Sequence, residues 1–279
     1  MRQMKIKSYQ SCYSPETLAS VPEGFHALDY TDNTRPDWRE FWPIRQFLLN
    51  NYLDDDTLYG FLSPKFNLKT GLDFSSVSDF ITSNYTNQDI VTFSPFWDLS
   101  ALFKNIYEQG EFFHPGLLHA AQLFSNRHLS SLDLNGTVTH SKNTIFCNYF
   151  FAKSIFWKEW FNLANHLFSA AETEGSELFN VLNVNTTYGV NNLPMKIFIQ
   201  ERLASTCLLL NSELTSLNYD IFKLNSSTTP FNKFLEESVL SDSLKFSFSQ
   251  SGHHVYLNNF SLIRNRILSL LPGLFSKYH

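Results

Sequence analysis

Glu108, Glu111 and His114 lie close together in the sequence, and Asp98 stands a few helical turns before them. Carboxylates and imidazoles can take a proton from a hydroxyl group, so this grouping has the composition of a general acid–base site. Glu111 is the preferred base: Gly110 before it permits close approach, and Phe112 and Phe113 beside it would strip water from the carboxylate. Glu111 and His114 also show the E-x-x-H spacing of carboxylate-bridged metal sites, although one copy specifies little. The same residues would equally dress an ordinary solvated helix end.

The segment that must position them runs from Asp89 to Leu118. Ile90–Phe93 is a short apolar run, Ser94-Pro95 a turn, and Leu99, Leu102, Phe103, Ile106 and Tyr107 share one face of a predicted helix. Pro115-Gly116 then turns the chain back. In α/β folds ligands bind where strand and helix ends meet, so Asp98, Glu108, Glu111 and His114 are expected to line one pocket near Gln10 and Ser11, which follow a first strand at Met4–Tyr9.

Further polar groups punctuate the chain. Asp29–Arg45 is dense in Asp, Arg and Trp, with Trp38, Phe41, Trp42 and Arg45 at helical spacing despite Pro43. Arg35, Arg39 and Arg45 suit diphosphate recognition, since the guanidinium fork donates two hydrogen bonds, while Trp can stack on a base or sugar; a surface helix with an aromatic anchor explains the pattern as well. Asp54-Asp55-Asp56 contains a D-x-D, but it precedes the strand that starts at Thr57, whereas metal-holding carboxylates belong at a strand's end. Lys65, beyond that strand, is better placed for a phosphate. Asn143–Ala152 is almost continuously apolar and reads as a buried strand, in which Asn148 either ties two backbone segments together or faces a ligand. Ile155–Phe168 reads as a core helix, Glu174–Asn192 as a loop or lid, and Lys196–Leu210 as one helix in which Glu201 and Arg202 should be paired.

Composition bounds the class. With 279 residues, 43% of them hydrophobic, and 28 Phe and 12 Tyr, the chain has ample material for a large core and is no candidate for disorder. A net charge of −5 without a basic block argues against a nucleic-acid groove. Cys12, Cys147 and Cys207 are too scattered for a zinc site or a disulfide framework. The first residues have charge but no apolar signal core, and no stretch is long and apolar enough to span a bilayer, which leads to the expectation of a cytoplasmic protein.

REFWPIR at Arg39–Arg45, YGFLSPKF at Tyr59–Phe66, EQGEFFHPGL from Glu108, NYFFAKSIFWKEW at Asn148–Trp160 and FIQERLA at Phe198–Ala204 occur in succession. Together they resemble glycosyltransferases encoded among bacterial surface-polysaccharide genes, of the O-antigen and capsule kind. They are also distantly similar to the galactofuranosyltransferase domains of O-antigen polymerases. The resemblance covers about residues 1–210 and rests on pattern.

It implies a GT-A-like α/β core at 1–210, with a mostly parallel sheet flanked by helices, and a helical C-terminal extension at 211–279. It also implies transfer of a sugar from a nucleotide-sugar donor to a glycan or lipid-linked glycan acceptor. Gln10, Ser11, Asn148 and Lys153 would then serve the donor. Because no D-x-D is well placed, a divalent metal stays an open cofactor, and Arg35, Arg39, Arg45 or Lys65 would have to meet the leaving diphosphate. The alternative is a catalytically silent carbohydrate-binding or scaffold module of a polysaccharide assembly complex. In the C-terminal segment Phe260, Ile263, Ile267, Leu270, Leu271 and Leu274 share one face, with Arg264, Arg266 and Lys277 largely elsewhere. That face can either pack on its own domain or rest on the inner face of the cytoplasmic membrane.

Overall fold

The structure, a computed structural model, describes residues 4–130, 132–189 and 191–271. Leu274 and Lys277 lie outside them. In chain order the elements begin β1 (Lys5–Cys12), α1 (Pro15–Ala19), β2 (Phe25–Asp29), α2 (Phe41–Asn50), β3 (Thr57–Leu62), α3 (Phe66–Thr70), α4 (Phe74–Asn84) and β4 (Ile90–Thr92). There follow α5 (Trp97–Leu102), α6 (Ile106–Phe113), α7 (Leu117–His128), β5 (Phe150–Ala152), α8 (Ser154–Glu172), α9 (Glu177–Asn183), β6 (Asn185–Tyr188) and β7 (Asn191–Pro194). The last are α10 (Met195–Gln200), α11 (Leu203–Leu210), β8 (Ser216–Asn218), α12 (Leu235–Ser251) and α13 (His254–Ser269). The chain forms two compact units that interleave along the sequence, residues 1–95, 145–166 and 206–225 in the first and 96–144, 167–205 and 226–279 in the second. Residue 210 falls inside the last segment of the first unit.

The first unit is built on a six-stranded sheet of order β2-β1-β3-β5-β4-β8. Neighbours pair in parallel except around β5, which runs antiparallel to both β3 and β4. The expected runs at Lys5, Leu58 and Ile90 are strands of this mostly parallel sheet. The run at Ile145 joins it only from Phe150 onward and in reverse. Residues 143–149 are turn and irregular backbone instead, because Cys147 and Asn148 both take positive φ (60° and 54°), which no strand tolerates.

All six residues of β3 are buried, as a strand covered on both faces requires. On one face Phe61 packs against Phe47 of α2 and Trp157 of α8, with ring centroids 5.0 and 4.9 Å away. On the other, Leu58 and Leu62 join Val77 and Ile81 of α4, together with Val91, Phe93 and Phe151. Gly60 lets the Phe151 ring lie directly on β3: a Cβ there would stand 2.6 Å from two ring carbons.

The second unit is mostly helical, with a β6–β7 hairpin where the sequence suggested a loop or lid. The helix expected from Leu99 to Tyr107 is broken, since Asn105 caps α6 by accepting hydrogen bonds from the Tyr107 and Glu108 amides. Glu108–Phe113 therefore lies within a helix, not beyond its end. α13 buries Phe260 and Ile267, each 1% exposed, in its own unit, which withholds those two side chains from a bilayer, whereas Leu262 and Leu270 of the same segment are exposed. Among the described residues no helix is long and apolar enough to cross a membrane, and Cys12, Cys147 and Cys207 are free thiols.

Gly60→Ala should cost about 1–3 kcal/mol of stability through overpacking against Phe151. Urea unfolding of the two chains measures it, and an unchanged midpoint would mean that Phe151 has room to move.

Candidate functional site

The side chains first suspected of acid–base chemistry are absorbed by structure in the second unit. Asp98 is fully buried and accepts hydrogen bonds from the Ser227 amide (2.7 Å) and hydroxyl (2.5 Å). Glu108 accepts from the Lys104 amide at 2.6 Å and pairs with Arg264. Glu111 accepts from the amides of Gly116 (3.0 Å) and Leu118 (2.7 Å). It thereby caps α7, whose own N-cap, Gly116, has no side chain to do so.

His114 bonds the Thr187 carbonyl through Nδ1 at 2.7 Å and stacks on Phe198 at 3.7 Å. Burial, and then the charge of Arg202, lower its pKa to about 4, so the ring is neutral and donates to that carbonyl. The four therefore do not converge. Of them only Glu108 lines the cavity described further below, and Gln10 and Ser11 belong to the other unit.

Gly110 has a different purpose from the one expected. A Cβ there would meet the Arg202 guanidinium at 2.6 Å. Arg202 is buried and donates to the carbonyls of Ile106 (2.9 Å) and Phe198 (2.6 Å) and to the Gln109 amide oxygen (2.9 Å). Burial lowers its pKa, the negative charge of Glu201 opposes that shift, and carbonyl dipoles receive its donors.

A different set collects in the first unit. Along the sheet the chain steps from β1 to β2 on one side and then to β3 on the other. That reversal makes β1/β3 a topological switch point, the place where open α/β sheets leave a crevice at the strands' carboxyl ends. Tyr13 and Ser14 follow β1, Tyr30 follows β2, and Ser63 and Lys65 follow β3. Since β5 is reversed, Cys147, Asn148 and Tyr149 enter from the same edge.

Ser63 and Tyr149 share a 2.6 Å hydrogen bond between hydroxyls. Lys69 Nζ is 3.3 Å from Cys147 Sγ and 5.8 Å from the Tyr149 ring centre. The Ser11 side chain stands near the Tyr30 phenol and partly offsets the effect of burial on it, and the rings of Tyr30 and exposed Tyr13 are 6.3 Å apart. Burial pushes the Tyr30 and Tyr149 phenols far up, and Glu40 adds to both shifts. Both phenols are therefore hydrogen-bond donors at neutral pH.

Glu40 itself is half-buried, yet its carboxylate makes no hydrogen bond or ion pair among the described residues. The preceding Arg39, at φ 47°, turns the chain into α2. Nothing in the sequence marks Glu40, which stands between arginines suited to a diphosphate. Its burial beside two phenols arises from chain segments far apart.

The remaining donor-side candidates divide. Lys65 is exposed at the end of β3, and Asn148 has a buried amide oxygen without a hydrogen-bond partner, so both stand at the switch-point edge. Ser11 and Gln10 are buried within β1, not in a loop, and Gln10 Nε2 donates to the Thr17 carbonyl at 3.4 Å. Arg35 is held by both oxygens of Asp37, each at 2.9 Å, and Arg45 donates to Asn165 at 3.3 Å.

Lys153 is at the opposite edge, because β5 is reversed and delivers its carboxyl end there; its ammonium donates to the Asn87 carbonyl at 2.6 Å and lies 3.5 Å from Asp89. Asp54–Asp56 also precede β3 at that edge, where Asp55 accepts from Ser154 and Asp56 lies 3.7 Å from Lys5. The D-x-D consequently does not fit a metal holding a donor at the carboxyl edge. No group of three or more His, Cys, Asp or Glu suited to a metal occurs among the described residues. Comparison with protein-family models, curated proteins and solved structures found no match to this chain.

The depressed pKa of His114 makes stability depend on pH. The unfolded imidazole takes up its proton near 6.5 and the folded one only near 4, so this contribution is complete above about 6.5 and is lost as pH falls toward 4. His140, likewise lowered to about 4 mainly by burial, adds to the loss. Urea unfolding at pH 7 and pH 5 should show a smaller difference in His114→Gln than in the parent chain. Equal pH dependence would remove His114 from the account.

Proposed function

We propose that the chain is a glycosyltransferase whose first unit is a GT-A-like domain, transferring a sugar from a nucleotide donor to a glycan or lipid-linked acceptor of a bacterial surface polysaccharide. The observation that carries the reading is Glu40: a carboxylate without a protein partner, half-buried beside two protonated phenols at the switch-point edge of a mostly parallel sheet. Lys65 and Lys69 stand at the same edge and supply positive charge for a diphosphate, while exposed Tyr13 offers a ring for a base.

In this reading the acceptor oxygen bonds to the anomeric carbon as its proton passes to Glu40. The bond from that carbon to the diphosphate breaks, and its electron pair leaves with the phosphate oxygen, whose charge the lysines meet. A carboxylate already bound to Arg or Lys would be a poorer base, which is why Glu40 is preferred over Glu108. Glu111, committed to capping α7, is preferred over neither.

Calorimetry with UDP, GDP, CMP and dTDP sugars should find one donor that binds. Glu40→Gln should then lower transfer by about 10²-fold or more with donor affinity kept, and Glu40→Asp should restore part of it. Glu111→Gln should leave transfer by the folded protein intact and cost about 1 kcal/mol of stability through the weakened cap. Failure of every donor to bind would favour the silent carbohydrate-binding or scaffold module.

A further inference from the structure

The second unit contains a cavity of about 380 Å³ that none of this chemistry uses. Lys104, Glu108 and Arg264 line it together with Leu118, Leu134 and Phe260. Its polar groups are held in place from several directions. Lys104 Nζ donates to the Asn135 carbonyl at 2.5 Å, and the Lys104 amide donates to Glu108 at 2.6 Å. Asn105 fixes the neighbouring loop by donating to the carbonyls of Leu134 (2.8 Å) and Thr137 (2.7 Å).

Arg264 pairs with Glu108 through Nη1. The charges around the cavity are unequal. Phe260 has the Arg264 guanidinium 5.8 Å from its ring centre and the Lys245 ammonium 5.5 Å from it. Lys245 is fully buried and donates to the carbonyls of Ser100 (2.5 Å) and Phe103 (2.6 Å). Lys104 and Arg264 line the cavity and Lys245 lies behind Phe260; among the described residues the carboxylates that act on Lys245 are Asp242 and Glu108, and Asp242 is already bound by the Ser141 amide and hydroxyl.

We propose that this cavity binds a small amphipathic anion, its carboxylate or phosphate head against Lys104 and Arg264 and its apolar body among Leu118, Leu134 and Phe260. The volume lies in the range of small-molecule pockets, and a lining that combines cations with apolar side chains suits both parts of such a ligand. This site is independent of the transfer reaction proposed for the first unit.

The test is calorimetry on the full chain with four probes: hexyl phosphate, hexanoate, inorganic phosphate and hexanol. One site per chain should take hexyl phosphate or hexanoate, and whichever binds tighter identifies the head group. Inorganic phosphate and hexanol should each bind at least about tenfold more weakly, because each lacks one half of the interaction. Arg264→Gln should weaken the anion by a similar factor. Since that change also leaves Glu108 without its partner, Leu257→Trp serves as a second variant: Leu257 lines the cavity, and an indole there would fill it without touching the charges. Loss of binding in folded Leu257→Trp supports the site. The proposal is overturned if neither amphipathic anion binds the parent chain at millimolar concentration, or if Leu257→Trp binds as well as the parent.

Discussion

Strand β5 joins two halves of the sheet that have no other hydrogen-bonded connection, β2-β1-β3 on one side and β4-β8 on the other. It does so with three residues, Phe150–Ala152, all buried. So short a strand cannot be held by its ladder alone, and its side chains do the rest. Phe150 stacks on Trp157 at 4.9 Å, Phe151 lies on Gly60, and the Trp157 indole donates to the Tyr59 carbonyl at 3.0 Å. Each large apolar side chain buried this way contributes on the order of 2 kcal/mol, which is large beside the net stability of a domain. The reversed direction of β5 then decides which polar residues reach which edge. Asn148 and Tyr149 enter where the parallel strands end, while Lys153 leaves where they begin.

A different constraint shapes the second unit. Every one of its helix ends exposes amides or carbonyls that need partners. Glu111 meets the amides at the start of α7, and Arg202 and Lys245 meet carbonyls in the interior. Burying a guanidinium or an ammonium is costly, and several well-placed carbonyls are what make it tolerable. This explains why the grouping of Glu108, Glu111 and His114 offers no uncommitted carboxylate. Glu111 closes a helix, Asp98 is bound by Ser227 and Glu108 by Arg264, so the side chains that look reactive on paper are already committed.

The switch-point edge differs because its groups are satisfied only in part. Ser63 and Tyr149 are a bonded pair, but Glu40 and the Asn148 amide oxygen have no protein partner among the described residues. Unmet hydrogen-bonding capacity beside exposed lysine and tyrosine is the chemistry expected of a ligand site. The consecutive positive φ angles of Cys147 and Asn148 fit the same picture, since strained backbone persists where the surroundings enforce it.

The sequence by itself determined the α/β class, the strands at Lys5, Thr57 and Ile90, and the core helix after Ser154. These follow from the spacing of apolar residues, which reports burial locally. It also located the turn at Pro115-Gly116 and placed Asp54–Asp56 before their strand. The tertiary structure alone decided the direction of β5, because a three-residue apolar strand reads the same in either orientation. Short strands such as β8 carried too little pattern to be seen at all. Which carboxylates are free was likewise undecidable from the chain. Asp98 is bound by Ser227, 129 residues away, and Glu108 by Arg264, 156 residues away, whereas Glu40 is bound by nothing described. Whether a charge is committed or available depends on partners brought from distant parts of the chain, and spacing along the sequence does not encode them.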